Sequence, residues 1–161
     1  MASFKKQFAA QEAEALRQRT SPRPGGSGAP TAECLVALDA GGGVIACADL
    51  RLPAAAVGAH PEGVPAGDAR GAYILNVVVR PDCRGAGVGR ALMAATVARA
   101  LGAWAAGSVY TAVAADNDVA FRLYRGAGFA EHKSDGGTLD GALDLGRTVL
   151  LVYRPPAADA S

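Results

Sequence analysis

The sequence has little of what would tie a protein to a membrane, a nucleic acid or a metal. No apolar run approaches the roughly 20 residues that a membrane-spanning helix needs. Neither sign of charge is in excess: 16 basic and 15 acidic residues leave a net charge of +1, so no overall field draws the chain to DNA, RNA or an anionic bilayer. The three cysteines, Cys34, Cys47 and Cys83, are an odd count at wide spacing, with neither a CxxC pair nor neighbouring histidines. That argues against a disulfide scaffold and against a zinc site, and for a reducing compartment. Cys34 and Cys47 lie in apolar runs and read as buried structural thiols, while Cys83 reads as an ordinary loop residue. The first residues, MASFKKQFAAQEAEALRQR, carry no apolar core of a secretory signal. The expected location is therefore the cytoplasm or an organelle interior, a plastid among them.

What is present suits one compact domain of mixed α and β structure. The chain has 161 residues, half of them hydrophobic, which is enough to bury its own core. The domain is expected over residues 1–155, with 1–30 an N-terminal helix and flexible linker and 156–161 a frayed tail. Phe4 to Arg19 has helix-forming composition behind a capping Ser3, and Thr20-Ser21-Pro22 should end it. The stretch PRPGGSGAP, Pro22 to Pro30, is a linker. Cys34–Leu38 and Val44–Leu50 bracket Asp39-Ala40-Gly41-Gly42-Gly43 and predict a β-hairpin. A long loop, Pro53 to Gly71, leads to the central strand. Within it, His60 has no partner in view as a base or a metal ligand.

The rest of the chain is organised around Ala72 to Leu101. Tyr73 to Val79 is dense in β-branched and aromatic residues, the pattern of a buried strand, and Pro81 should stop it. Arg84-Gly85-Ala86-Gly87-Val88-Gly89-Arg90 follows, and then Leu92, Ala95, Ala98 and Leu101 at helical spacing. A strand, a glycine turn and a helix together can hold phosphates. The first amides of a helix lack intrahelical partners, the helix dipole is positive there, and glycines let the backbone curl around an oxyanion. Arg84 and Arg90 flank the turn and can pair with phosphate oxygens. The motif is neither a Walker loop, since Arg90-Ala91 stands where Lys-Ser/Thr is required, nor a GxGxxG dinucleotide fingerprint, whose third glycine is missing.

R-x-x-G-x-G directly after a strand ending NVVVRP closely resembles the acetyl-CoA pyrophosphate loop of the GNAT superfamily of N-acyltransferases. Downstream, Asn117-Asp118-Val119-Ala120-Phe121-Arg122-Leu123-Tyr124-Arg125-Gly126-Ala127-Gly128-Phe129 resembles that superfamily's second block, N-x-x-A-x-x-L-Y-x-x-x-G-F, in the expected order and separation. The resemblance implies a mixed, mostly antiparallel sheet with helices on both faces and a splay between its two central strands, Tyr73–Val79 and Ser108–Ala114. It implies a soluble transferase that uses acetyl-CoA (coenzyme A) to acetylate a primary amine: a protein N-terminus, a lysine or a small amine. The diphosphate would lie on Arg84, Gly85, Ala86, Gly87, Val88, Gly89 and Arg90. The pantetheine amides would pair with the strand edge at Val77, Val78 and Val79, as an added strand does, with Asn117 as a further contact. Asn117 should also cap the helix Asp118–Arg125. Tyr124 would be the general acid for the departing thiolate.

Two departures stand beside the resemblance. Many relatives carry a glutamate on one of the two central strands; here neither strand holds a carboxylate, which leaves open a catalytically weak CoA-binding module as the alternative. The superfamily also opens with a strand and two helices, whereas this chain opens with a helix. The acceptor side is therefore expected to be open or completed by a partner subunit, as in a homodimer. Phe129–Lys133 and Arg147–Arg154 complete the expected strands, with a Gly/Asp-rich loop over Ser134–Gly146 between them. No metal site, nucleic-acid surface or membrane segment is expected.

Overall fold

A computed structural model describes residues 30–132 and 148–156. The helix expected over Phe4–Arg19, most of the linker after it, Lys133 and the loop Ser134–Gly146 lie outside the described residues. Six strands form one open sheet: β1 (Ala32–Leu38), β2 (Val44–Arg51), β3 (Gly71–Val79), β4 (Ser108–Ala114), β5 (Ala130–Glu131) and β6 (Thr148–Tyr153). Their order is β1-β2-β3-β4-β6-β5, with only β3 and β4 parallel. Three helices complete the described fold: α1 (Ala54–Val57), α2 (Val88–Trp104) and α3 (Asp118–Gly126).

Each element has a local reason. The β1–β2 turn forms because Asp39 accepts from the amides of Gly41 and Gly43 at 3.0 and 2.8 Å, while Gly42 takes a left-handed φ of 81°. The loop from Pro53 is not irregular throughout, since its first turn is α1, closed by left-handed Gly58. A parallel pair needs a crossover helix, and α2 supplies it between β3 and β4. Its buried residues are Leu92, Met93, Thr96, Val97 and Ala100. Of the residues noted at helical spacing, Ala95 and Ala98 are exposed, because the buried stripe follows the i, i+4 rows through Leu92–Thr96–Ala100 and Met93–Val97.

The sheet has two unlike faces. On one, Ala46, Ala48, Leu50, Ile74, Val109, Val113 and Leu151 pack with α2 and α3 into the main core. On the other, a smaller cluster of Val64, Tyr110 and Val152 gathers Tyr73 and Leu150 beneath the loop that precedes β3. Cys34 and Cys47 correct an expectation. Cys34 is exposed and Cys47 half-buried, because both point away from α2, on the same face of the hairpin as exposed Val36. A run of apolar residues cannot tell which face of a strand is covered.

Candidate functional site

The stretch after β3 takes the predicted form. Pro81 starts a single 3₁₀ turn, Pro81–Cys83, and Arg84 pins the following loop to the strand by donating from Nε to the Val79 carbonyl at 3.0 Å. Gly85 and Gly87 adopt φ of 77° and 82°. A Cβ at either would meet nothing within 4 Å, so glycine is needed for backbone conformation and the space above the loop is open. Gly87 is the N-cap of α2 and brings no side chain to cap it. The first bond of the helix runs from the Ala91 amide to the Gly87 carbonyl at 3.0 Å. The amides of Val88, Gly89 and Arg90 precede it, at the positive end of a helix whose first turn has no acidic residue. Ala86 and Arg90 are exposed beside them. Gly89 answers a different need: a Cβ there would come to 3.4 Å from Val79 and 3.5 Å from Leu123, so the helix start sits close against both β3 and α3.

β3 and β4 pair only over Gly71–Tyr73 and Ser108–Tyr110. Beyond those residues β3 runs on to Val79 and β4 to Ala114 without pairing to each other. This is the splay. Val77, Val78 and Val79 stand along it: Val78 is set against Cys47 and turns its main chain to β2, while Val79, whose carbonyl already accepts from Arg84, turns its main chain to the edge that β4 leaves uncovered. Val77 and Val79 pack toward the core, whereas Val78 is exposed.

α3 closes the helix side of the splay. Its N-cap, Asn117, accepts from the Ala120 amide at 3.0 Å, and Asp118 sits in its first turn. Gly128, at φ 91°, supplies the left-handed residue just past the helix. Tyr124 is 7% exposed, with its ring edge-on to Phe129 at 5.7 Å between centroids. Burial lifts its phenol above the usual value of 10, against a smaller opposing effect from the hydrogen bond of Thr111 on β4. The phenol thus stays protonated at neutral pH, beside the strand that lines the gap.

Two residues on the site's other flank were not singled out from the sequence. Tyr73, in the last β3 pair before the strands part, turns its phenol toward the backbone amide of Ala112 and its ring under Arg51, 5.9 Å from the guanidinium. Burial raises this phenol too, more than the Ala112 amide and Arg51 lower it. Asp49 is the one buried carboxylate among the described residues, 4% exposed and bonded to Asn76. A charge inside the apolar strand VIACADLR was the signal for it. His60, by contrast, is bonded to the Val64 carbonyl at 3.0 Å within its own loop, and among the described residues no group of His, Cys, Asp and Glu is placed to hold a metal. No described helix is long and apolar enough to cross a membrane.

Solved structures share this architecture. A spermidine N-acetyltransferase variant from Vibrio cholerae is 18% identical, with a TM-score of 0.61 over 89% of this chain and 74% of that one. A GCN5-related N-acetyltransferase from Kribbella flavida is 24% identical, with a TM-score of 0.60 over 88% and 76%. A nourseothricin acetyltransferase is 24% identical, with a TM-score of 0.59 over 79% and 67%. At such identities the likeness establishes the fold. No match was found among curated proteins. The family model for GNAT acetyltransferases matches residues 4–129, which take in both the glycine loop ahead of α2 and the tyrosine of α3; the chain belongs to the acetyltransferase (GNAT) family.

Proposed function

We propose that this enzyme acetylates a primary amine, with the acetyl-CoA diphosphate on the amides of Gly85 to Arg90 and with Tyr124 as general acid. Membership of the family makes acetyl-CoA the acyl donor and an amine the acceptor. The observation that carries the residue assignment is the convergence on one gap of three things: open helix-start amides, an unpaired β3 edge and a buried phenol. The bound donor supplies an acetyl thioester. The chain's own groups then have distinct tasks. The amides of Val88, Gly89 and Arg90, with Arg84 and Arg90, hold anionic oxygens at a helix N-terminus. The edge at Val77–Val79 pairs with the amides of the pantetheine arm in the manner of an added strand. Asn117, whose Oδ1 caps α3, has an amide nitrogen available to that arm. Of the β3 amides at Val77 and Val78, the Val77 amide faces the developing oxyanion, since Val78 is set against Cys47 on β2. Tyr124 delivers its proton to the leaving thiolate.

For the acceptor, the reading is a protein N-terminus, a lysine side chain or a small amine. The likeness to spermidine and nourseothricin acetyltransferases makes small amines the first to try. Calorimetric titration with acetyl-CoA, followed by free-thiol release with spermidine, lysine and a short peptide as acceptors, tests the proposal. Binding with amine-dependent thiol release is expected. No binding at about millimolar acetyl-CoA, the upper end of the range of ordinary KM values, would end it. Binding without turnover of any amine would point instead to a CoA-binding module.

A further inference from the structure

β3 does not run straight past the site. Against β2 its register steps from Asp49↔Leu75 to Cys47↔Val78, two residues on β2 against three on β3. The extra residue makes a bulge, and Asn76 within it has φ 52°, the left-handed region that a residue with a Cβ rarely takes. The bulge resets the alternation of the strand. Ile74 faces the helices, and after the extra residue so do Val77 and Val79, while Val78 is left exposed. All of this happens just beyond Tyr73, where β3 parts from β4 and its backbone faces the splay.

A left-handed asparagine persists only where its surroundings hold it. Here the Asn76 Nδ2 donates to Asp49 Oδ2 at 2.9 Å, from an exposed position on β3 to a carboxylate 4% exposed on β2. Two thiols flank that carboxylate. Partial desolvation, then the hydrogen bond to and charge of Asp49, push the Cys34 thiol up to about 12 although its side chain reaches the surface; desolvation and the same charge raise Cys47, so both stay neutral beside it. A buried carboxylate is costly to keep, and nothing in the core packing asks for one at this place. The cofactor contacts proposed above do not use it.

We propose that Asp49 is a positioning residue for acetyl transfer: through Asn76 it locks the left-handed bulge of β3 and so fixes the Val77 amide at the mouth of the splay. The proposal rests on the reading of that edge as the thioester-facing side of the site. The bulge aims a backbone donor, and a donor of this kind acts only if it is in place before the reaction. Loss of the latch therefore acts on turnover, while the diphosphate keeps its grip at the start of α2.

The test compares Asp49→Asn, Asp49→Ala and Asp49→Ala combined with Asn76→Gly. Free-thiol release from acetyl-CoA, with water or spermidine as acceptor, gives kcat, and calorimetry gives acetyl-CoA affinity. In Asp49→Asn the new amide oxygen still accepts from Asn76, so kcat should stay within about threefold of the parent. Asp49→Ala should lower kcat by about tenfold or more with acetyl-CoA affinity little changed, since the strain released is of that order. Adding Asn76→Gly should restore most of kcat, because glycine takes the left-handed conformation without a latch. Equal loss in Asp49→Asn and Asp49→Ala would overturn the proposal and make the carboxylate itself the reacting group. Failure of the glycine variant to rescue a folded Asp49→Ala protein would overturn it as well. A parent protein that does not bind acetyl-CoA would instead refute the site reading on which it rests.

Discussion

Replacing Tyr124 with phenylalanine removes one oxygen from a position 7% exposed and leaves the ring in its edge-on contact with Phe129 at 5.7 Å. The structural cost is the phenol's interaction with Thr111, a residue itself only 1% exposed. Losing that interaction and stranding its partner costs about 1–3 kcal/mol, which a folded domain of this size tolerates. The catalytic cost is larger, since removal of a positioned general acid lowers turnover by about 10²- to 10⁴-fold. Acetyl-CoA affinity should hardly change, because the amides of Val88, Gly89 and Arg90 lie on a different element. The pH profile adds a second reading. Burial keeps the phenol protonated to above its ordinary value of 10, so kcat should hold through neutral pH and fall only when the phenol ionises beyond that value. The phenylalanine variant should lack this alkaline limb. Steady-state thiol release across pH, paired with calorimetry, measures both. A variant whose kcat lies within about threefold of the parent would show that the phenol serves packing and that another group protonates the thiolate.

Three further outcomes are expected. Gly87→Ala should cost about 1–2 kcal/mol in stability and weaken acetyl-CoA binding, purely through its φ of 82°, since a Cβ there meets nothing within 4 Å; an unchanged melting temperature would contradict the strain argument. Asp68→Ala strands the hydroxyls of Ser108 and Tyr110, both of which donate to it, and should cost about 2 kcal/mol at neutral pH. Burial works to raise the Asp68 carboxyl, but hydrogen bonds from Ser108, Tyr110 and the Arg70 amide outweigh it and hold the group below its usual 3.8. Its contribution is thus present above that value and lost as pH falls through the lower folded one, so denaturation curves of variant and parent should converge in acid and stay apart at pH 7. Tyr73→Ala opens the closed end of the splay, where β3 and β4 make their last pair, and should raise kcat/KM for propionyl- and butyryl-CoA relative to acetyl-CoA; an unchanged ratio would show that the acyl group stops short of Tyr73.

The local elements were legible because each rests on chemistry confined to a few residues. The hairpin was readable in Asp39 to Gly43, the strand end in Pro81, and the helix start in Gly87. The cap was readable in Asn117, whose carboxamide reaches the Ala120 amide as its position demanded. Less legible was anything that depends on which face of an element meets another. Ala95 and Ala98 look as suitable for burial as Met93 and Val97, and only the docking of α2 on the sheet separates them. Cys34 and Cys47 misled for the same reason, since their strands are apolar on both faces while the described core covers one.

The flank of the site opposite the helices was hidden for a further reason. In the run Ile74 to Val79 every residue except Asn76 is apolar and β-forming, so the sequence offers no alternation from which an inserted residue could be noticed. The bulge becomes apparent only when Leu75 and Val78 are set against Asp49 and Cys47 on the neighbouring strand. Asn76 then ceases to be a lone polar residue in a buried strand. It is the residue type that best tolerates a left-handed φ after glycine, and its carboxamide can also reach a partner across the sheet. Asp49, more than 20 positions earlier in the chain, is that partner. A search for a carboxylate confined to β3 and β4 passes over it, because its link to the site runs through the backbone of a third residue. Shape at the centre of this enzyme is set by pairs such as Asp49–Asn76, distant in sequence and adjacent in the sheet, whereas the glycine loop proposed to grip phosphate is built from neighbours in sequence.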